Sequence, residues 1–203
     1  IEFDYKNHHV ISFAPPSSGG ILIAQMMKMI APFDIASMGY QSPGAVGLMV
    51  ESQRRAYADR AEHMGDPDFW KVPTSTLISD AYAKQRMKDY VPGIAGNSKN
   101  TIAGQAKESE QTTHYSVIDK EGNMVAITTT LNDSYGNKTV VAGAGFILNN
   151  EMDDFSVKPG VPNMFGALGG EANAIAPGKR MLSSMTPTLV TVNNKAYLTI
   201  GSP

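Results

Sequence analysis

The hydrophobic period changes once along this chain, and that change limits the fold more than any single motif. Up to about residue 90, apolar residues recur at helical spacing after a short hairpin; from residue 112 onward they alternate. Between these regions, residues 91–111 are rich in Pro, Gly, Asn, Ser, Lys and Glu, with few apolar side chains. Such a stretch reads as a long exposed or mobile connector, uncommon in compact domains unless it has a task. A mostly helical region over 1–90, a connector over 91–111 and a β-rich region over 112–203 fit an α+β layered fold.

In the first region, strands at 3–5 and 10–13 flank an expected turn at Lys6-Asn7-His8-His9. Pro15-Pro16-Ser17-Ser18-Gly19-Gly20 then opens a helix carrying Ile21, Met26, Met27 and Ile30, with Ser17 or Ser18 as its cap. Ser42 before Pro43 marks another helix start, and Gly65 its stop. This second helix is expected to carry Val46, Met49, Val50, Ala56, Tyr57, Ala61 and Met64 on or near one face. Ser79 or Asp80 opens a further helix through Met87, while Arg54, Arg55, Lys84, Arg86 and Lys88 read as solvated faces. Strands are expected at 115–119, 124–132, 139–141, 146–148, 189–192 and 196–200.

Composition removes several chemistries. With no cysteine there are no disulfides, no thiol catalysis and no cysteine-ligated zinc. His8, His9, His63 and His114 are scattered without metal spacing, and Gly143-Ala144-Gly145 lacks the dinucleotide fingerprint. We expect no metal and no other cofactor. A formal net charge of -2 gives no reason to expect nucleic acid, and no apolar run is long enough to span a bilayer. Ile1 stands inside a strand-like alternation and Pro203 follows a strand, so we expect the protein to continue at both ends, with any signal peptide upstream.

The chemistry concentrates where connector meets strand, at Glu110-Gln111-Thr112-Thr113-His114-Tyr115-Ser116. A threonine hydroxyl is a poor nucleophile without a base. If the chain is cut before a threonine, the new α-amine supplies that base. Its reference pKa of about 8 lies near the working pH. Lys120-Glu121-Gly122 can form a three-residue hairpin loop with Gly122 left-handed, which pairs Asp119 with Asn123 and, counting back, Thr112 with Thr130. Cross-strand partners share a face, so Thr112, Thr130 and Asn132 gather while Thr113 points away. From periodicity alone, Thr128, Thr129 and Thr130 read as ordinary β-branched sheet residues.

QTTHYSVID, TTTLN, ILNNEMDDFSVKPGVPN and KRMLSSMTPT followed by GSP occur here in the identity and order seen in gamma-glutamyltranspeptidases, and PPSSGG and AYADRAEHMGDPDF also resemble that family. The resemblance spans nearly the whole chain. It implies a precursor that cuts itself before Thr112, giving two subunits that together build the αββα sandwich of N-terminal-nucleophile hydrolases. It further implies transfer of the γ-glutamyl group of glutathione and related compounds to water, an amino acid or a peptide. Thr112 matches the nucleophile, Thr130 its supporting hydroxyl, and Asn132 a contact to the bound glutamyl group. Glu151 and Asp154 match acceptors for the glutamyl ammonium, and Ser183 and Ser184 match donors to its carboxylate; some members have Gln where this chain has Glu151. The segment 159–170 matches a flexible lid.

By the same resemblance, the oxyanion hole would come from two glycines beyond Pro203, and a substrate-binding arginine from a segment upstream. The 203 residues alone are therefore expected to be a poor enzyme needing the remainder of both subunits. The resemblance also places the protein in the periplasm or outside the cell. Two other readings stay open: an acylase of the same fold acting on another amide, such as a glutaryl-cephalosporin, and a non-catalytic domain.

Overall fold

The computed structural model describes residues 1–98, 112–161 and 169–202. Its strands are β1 (Glu2–Tyr5), β2 (His8–Ser12), β3 (Thr112–Ile118), β4 (Met124–Thr130), β5 (Thr188–Val192) and β6 (Lys195–Ile200). Its helices are α1 (Gly19–Ile30), α2 (Pro43–His63), α3 (Thr74–Leu77) and α4 (Asp80–Arg86). One antiparallel sheet has the order β1-β2-β5-β6, so it takes two strands from each side of the connector; β3 and β4 form a separate hairpin. The expected connector is described only to residue 98 and the expected lid only at 159–161 and 169–170; the rest of both lies outside the described residues.

Helix α1 joins the layers. Its Ala24 packs with Phe3, Val10 and Val190 of the sheet, while Ile21, Leu22 and Met29 pack with Ala56, Met64 and Leu77 of the other helical segments. Ser42 caps α2 as expected, its Oγ accepting the Ala45 N–H at 3.1 Å with Pro43 in the first turn. Ser79 caps α4 in the same way, accepting from Tyr82 at 3.2 Å. Gly65 follows the end of α2 because the chain there runs against Ala172: an added Cβ would lie 2.1 Å from that carbonyl oxygen.

Three expectations about the elements are corrected. The first turn is shorter, with Lys6 at φ 55° and His8 and His9 inside β2, where they pair with Tyr5 and Asp4. No strands form at 139–141 and 146–148. A single bridge, Val140 to Ile147, closes a tight loop in which Gly143 and Gly145 both take positive φ.

The third correction concerns α2. Val46, Met49 and Val50 are exposed, whereas Ala45, Leu48, Glu51, Ser52, Arg55, Ala56, Ala58 and Asp59 are buried. The buried stripe carries charge because partners from elsewhere satisfy it. Arg55, only 6% exposed, donates to Glu51 at 2.6 Å, to Asp89 at 2.9 Å and to the Arg86 carbonyl at 2.7 Å. Asp59 accepts from Gln25 at 2.8 Å and from Tyr82 at 3.0 Å. Arg55 therefore does not belong to a solvated face. Buried charges survive only when paired in this way.

The hairpin forms as its loop predicts. Gly122 sits at φ 88°, its N–H reaches the Asp119 carbonyl at 3.1 Å, and Asp119 N–H reaches Asn123 O at 3.1 Å. The register runs from Ile118↔Met124 to Thr112↔Thr130. β3 and β4 pack against β6, where Thr199 Oγ1 donates to the Val125 carbonyl at 3.1 Å.

Candidate active site

Thr112 begins β3 and faces Thr130, the last residue of β4. The Thr130 hydroxyl oxygen accepts the Asn132 N–H at 2.9 Å. Asn132 lies beyond the strand at φ 73°, so strand alternation does not carry to it; the expected route to that face is wrong. What holds the buried Asn132 is its side chain, which donates to the Asn150 carbonyl at 3.2 Å. Asn150 completes the clamp: its Oδ1 accepts the Asp133 N–H at 2.9 Å and its own N–H reaches Leu131 O at 3.1 Å. The end of the β3–β4 hairpin is thereby fixed to the acidic turn.

That turn, Glu151–Asp154, is a short 3-10 helix. Burial pushes the Asp154 carboxyl up to about 6; Glu151 and Asp153 push the same way, and Arg60 opposes them. Burial also raises Glu151. Buried Asn173 ties this turn to the next segment, donating to the Asp154 carbonyl at 2.7 Å and accepting the Leu182 N–H at 3.0 Å.

The serine pair follows Leu182 and rests on the Pro15–Gly20 turn. Ser183 N–H reaches Pro16 O at 3.0 Å, and Ser183 O accepts the Ser18 N–H and hydroxyl, each at 2.9 Å. Ser17 Oγ donates to Met185 O at 2.7 Å while accepting the Gly19 N–H at 3.1 Å. So the two serines expected to cap α1 mainly hold the 183–185 segment, and Ser18 makes no side-chain cap. Gly19 is required there, since an added Cβ would lie 2.0 Å from Thr186 Oγ1.

Arg60, in the last turn of α2, reaches both sides. Its Nη2 donates to Ser184 Oγ at 2.9 Å and its Nε to Ser18 Oγ at 3.0 Å. The fold thus links Thr130, Asn132, Glu151, Asp154, Ser183 and Ser184 through contacts that spacing alone did not reveal. Arg60, Asn150, Asn173 and Ser18 are the missed members. Each except Asn173 lies inside a quoted motif, but nothing in its spacing marks it. A small open pocket of about 180 Å3 at the hairpin end is lined by Thr113, Thr129, Thr130, Leu131, Asp133 and Ser134, and by none of the acidic or serine pair. Among the described residues, no group of three or more His, Asp or Glu is placed to hold a metal ion. No helix among them is long and apolar enough to cross a membrane.

The family model for gamma-glutamyltranspeptidase matches residues 1–203. The chain belongs to the gamma-glutamyltranspeptidase family. The glutathione hydrolase proenzyme of Escherichia coli strain K12 is 49% identical over 205 residues, a match covering 100% of this chain and 35% of that protein. Acylase ACY 1 proenzyme of Pseudomonas sp. strain SE83 is 36% identical over 211 residues, covering 100% and 34%. The chain therefore spans about a third of the length of these relatives. The crystal structure of cephalosporin acylase from Bacillus halodurans superposes with a TM-score of 0.75 at 22% identity, covering 98% of this chain and 33% of that one. At that identity the likeness shows the fold alone, the mixed α+β architecture that the sequence led us to expect.

Proposed function

We propose that this chain is part of a γ-glutamyl hydrolase and transferase that becomes active on cleavage before Thr112. One observation carries the reading. Hydrogen bonds run from Thr130 through Asn132 and Asn150 to the Glu151–Asp154 turn, and Asn173 continues the link to the serine pair. A threonine at a strand start thereby sits in one connected site with carboxylates suited to an ammonium and hydroxyls suited to a carboxylate. The relatives named glutathione hydrolase proenzyme support the same choice.

In this mechanism the freed α-amine of Thr112 takes the proton from its own Oγ, which attacks the γ-carbonyl carbon. The departing amine leaves with that proton, and a γ-glutamyl ester of Thr112 remains. Water or an amino group then attacks the ester and restores the hydroxyl. The Asn132 N–H on the Thr130 oxygen orients that hydroxyl on the face shared with Thr112. Asp154 and Glu151 accept from the substrate ammonium, each charge-assisted bond contributing about 1.5–3 kcal/mol when well placed. Ser183 and Ser184 donate to the α-carboxylate.

Full-length protein and its Thr112→Ala variant, compared on a denaturing gel and with a γ-glutamyl anilide, test this reading. The variant is expected to stay uncut and inactive; normal cleavage would remove Thr112 as nucleophile. A non-catalytic domain would leave both proteins whole. The relative named acylase keeps a second reading, an acylase for another amide. The acidic pair favours a substrate bearing an ammonium. Faster turnover of a glutaryl amide than of the γ-glutamyl amide would decide for the acylase.

A further inference from the structure

From these contacts we infer that Arg60 is a positioning residue of the glutamyl pocket, aiming the Ser184 hydroxyl at the substrate carboxylate. The inference rests on the reading that Ser183, Ser184 and Asp154 hold the glutamyl group. A guanidinium can only donate hydrogen bonds. Because Arg60 Nη2 donates to Ser184 Oγ at 2.9 Å, it takes up a lone pair of that oxygen and turns the hydroxyl proton away from itself. Among the described residues the Ser184 hydroxyl donates to no carbonyl or carboxylate, so its proton is available to an incoming anion. A lysine could supply the charge without the two-pronged geometry, for Arg60 also donates through Nε to Ser18 Oγ at 3.0 Å. Ser18 in turn donates to the Ser183 carbonyl at 2.9 Å, so one planar group sets both serines.

Charge is the second part of the role. The groups acting on the Asp154 carboxyl are Glu151 and Asp153 from its own turn and Arg60 from α2. Arg60 alone among them favours the ionised form, the form an ammonium needs. Replacing it leaves three carboxyl groups on one short turn without that opposing charge.

The test uses the full-length proenzyme and a γ-glutamyl anilide, with Arg60→Lys, Arg60→Gln, Ser184→Ala and Asp154→Asn. Arg60→Lys is expected to raise KM about tenfold, with kcat and the rate of subunit appearance nearly unchanged. The acidic limb of its substrate response should stay at the wild-type position. Arg60→Gln should raise KM as well and move that limb to higher pH. Placed in the Ser184→Ala background, Arg60→Lys should add less to KM than it does alone, because most of its effect runs through that hydroxyl. Additive effects there, an unchanged KM in both Arg60 variants, or kcat and subunit appearance falling in step with KM would overturn the inference. If Arg60→Gln does not fold, the lysine variant and the double-mutant cycle still decide. Failure of the pocket itself looks different: Ser184→Ala and Asp154→Asn would then leave KM unchanged, and the role of Arg60 falls with it.

Discussion

Asp154 carries the site's most specific electrostatic consequence. An ordinary aspartate is ionised above about pH 4, but burial first, then Glu151 and Asp153, keep this one protonated up to about 6 despite Arg60. A raised carboxyl means that the folded chain holds its proton more tightly than the unfolded chain. Its contribution to stability therefore declines as pH rises from the ordinary carboxyl range through about 6. A substrate ammonium reverses the balance by favouring the carboxylate. KM for a γ-glutamyl anilide should thus be flat above about pH 6 and rise below it; a KM constant down to pH 5 would contradict the assignment. Asp154→Asn should weaken the substrate response about tenfold, or about 1–2 kcal/mol. Cleavage before Thr112 should be spared, since no glutamyl ammonium takes part in it. Thr113→Ala should also still process, because Thr113 pairs with Thr129 and points to the other face.

Among the elements, the β3–β4 hairpin and α2 obey different rules. The hairpin register follows from local backbone chemistry, and Gly122 at φ 88° sets it. Gly122→Ala should cost about 1–2 kcal/mol in chemical denaturation. Ser42→Ala, which removes the α2 cap, should cost about 1 kcal/mol. Helix α2 packs through paired charges, so truncation should be costly on its charged buried face and nearly neutral on its exposed apolar face. Arg55→Ala removes one of the partners of buried Glu51, which keeps the Gly96 N–H at 2.8 Å, and should cost about 3 kcal/mol. Val50→Ala, on the exposed apolar face, should stay within about 0.5 kcal/mol. Equal losses at the two positions would mean that the charged stripe does not hold α2 in place.

Across the molecule, the serine pair depends on contacts far apart in the chain. Asp66, fully buried after α2, accepts from Arg180 through N at 2.8 Å, Nε at 3.0 Å and Nη2 at 2.6 Å. These bonds hold its carboxyl well below the usual range. A depressed carboxyl stabilises the fold above its unfolded pKa, and that stability is lost as pH falls toward the folded value. Asp66→Asn should lower stability at neutral pH and flatten the loss of stability on acidification below about pH 4. A variant with an unchanged acid-unfolding curve would show that the 66–180 contact does not anchor this end of the site.

Local chemistry was readable wherever a residue acts through its own backbone neighbourhood. Gly122 set the hairpin loop and hence Thr112 opposite Thr130; Ser42-Pro43 and Ser79 set two helix starts. Motif order supplied the acidic and serine pairs through family resemblance. The rest depended on partners distant in the chain. Asn132 takes a left-handed conformation and is held by Asn150, 18 positions away, so counting along a strand could not place it. α2 buries Arg55 because Asp89 and the Arg86 carbonyl meet it, and an apolar period cannot register a paired charge. Arg60 joins Ser184 across 124 positions. Periodicity and turn chemistry act over a few residues and are written into their order. The satisfaction of buried polar groups depends on which segments the folded chain brings within hydrogen-bonding distance, and that was settled only by the packing of α2, the acidic turn and the serine segment against one another.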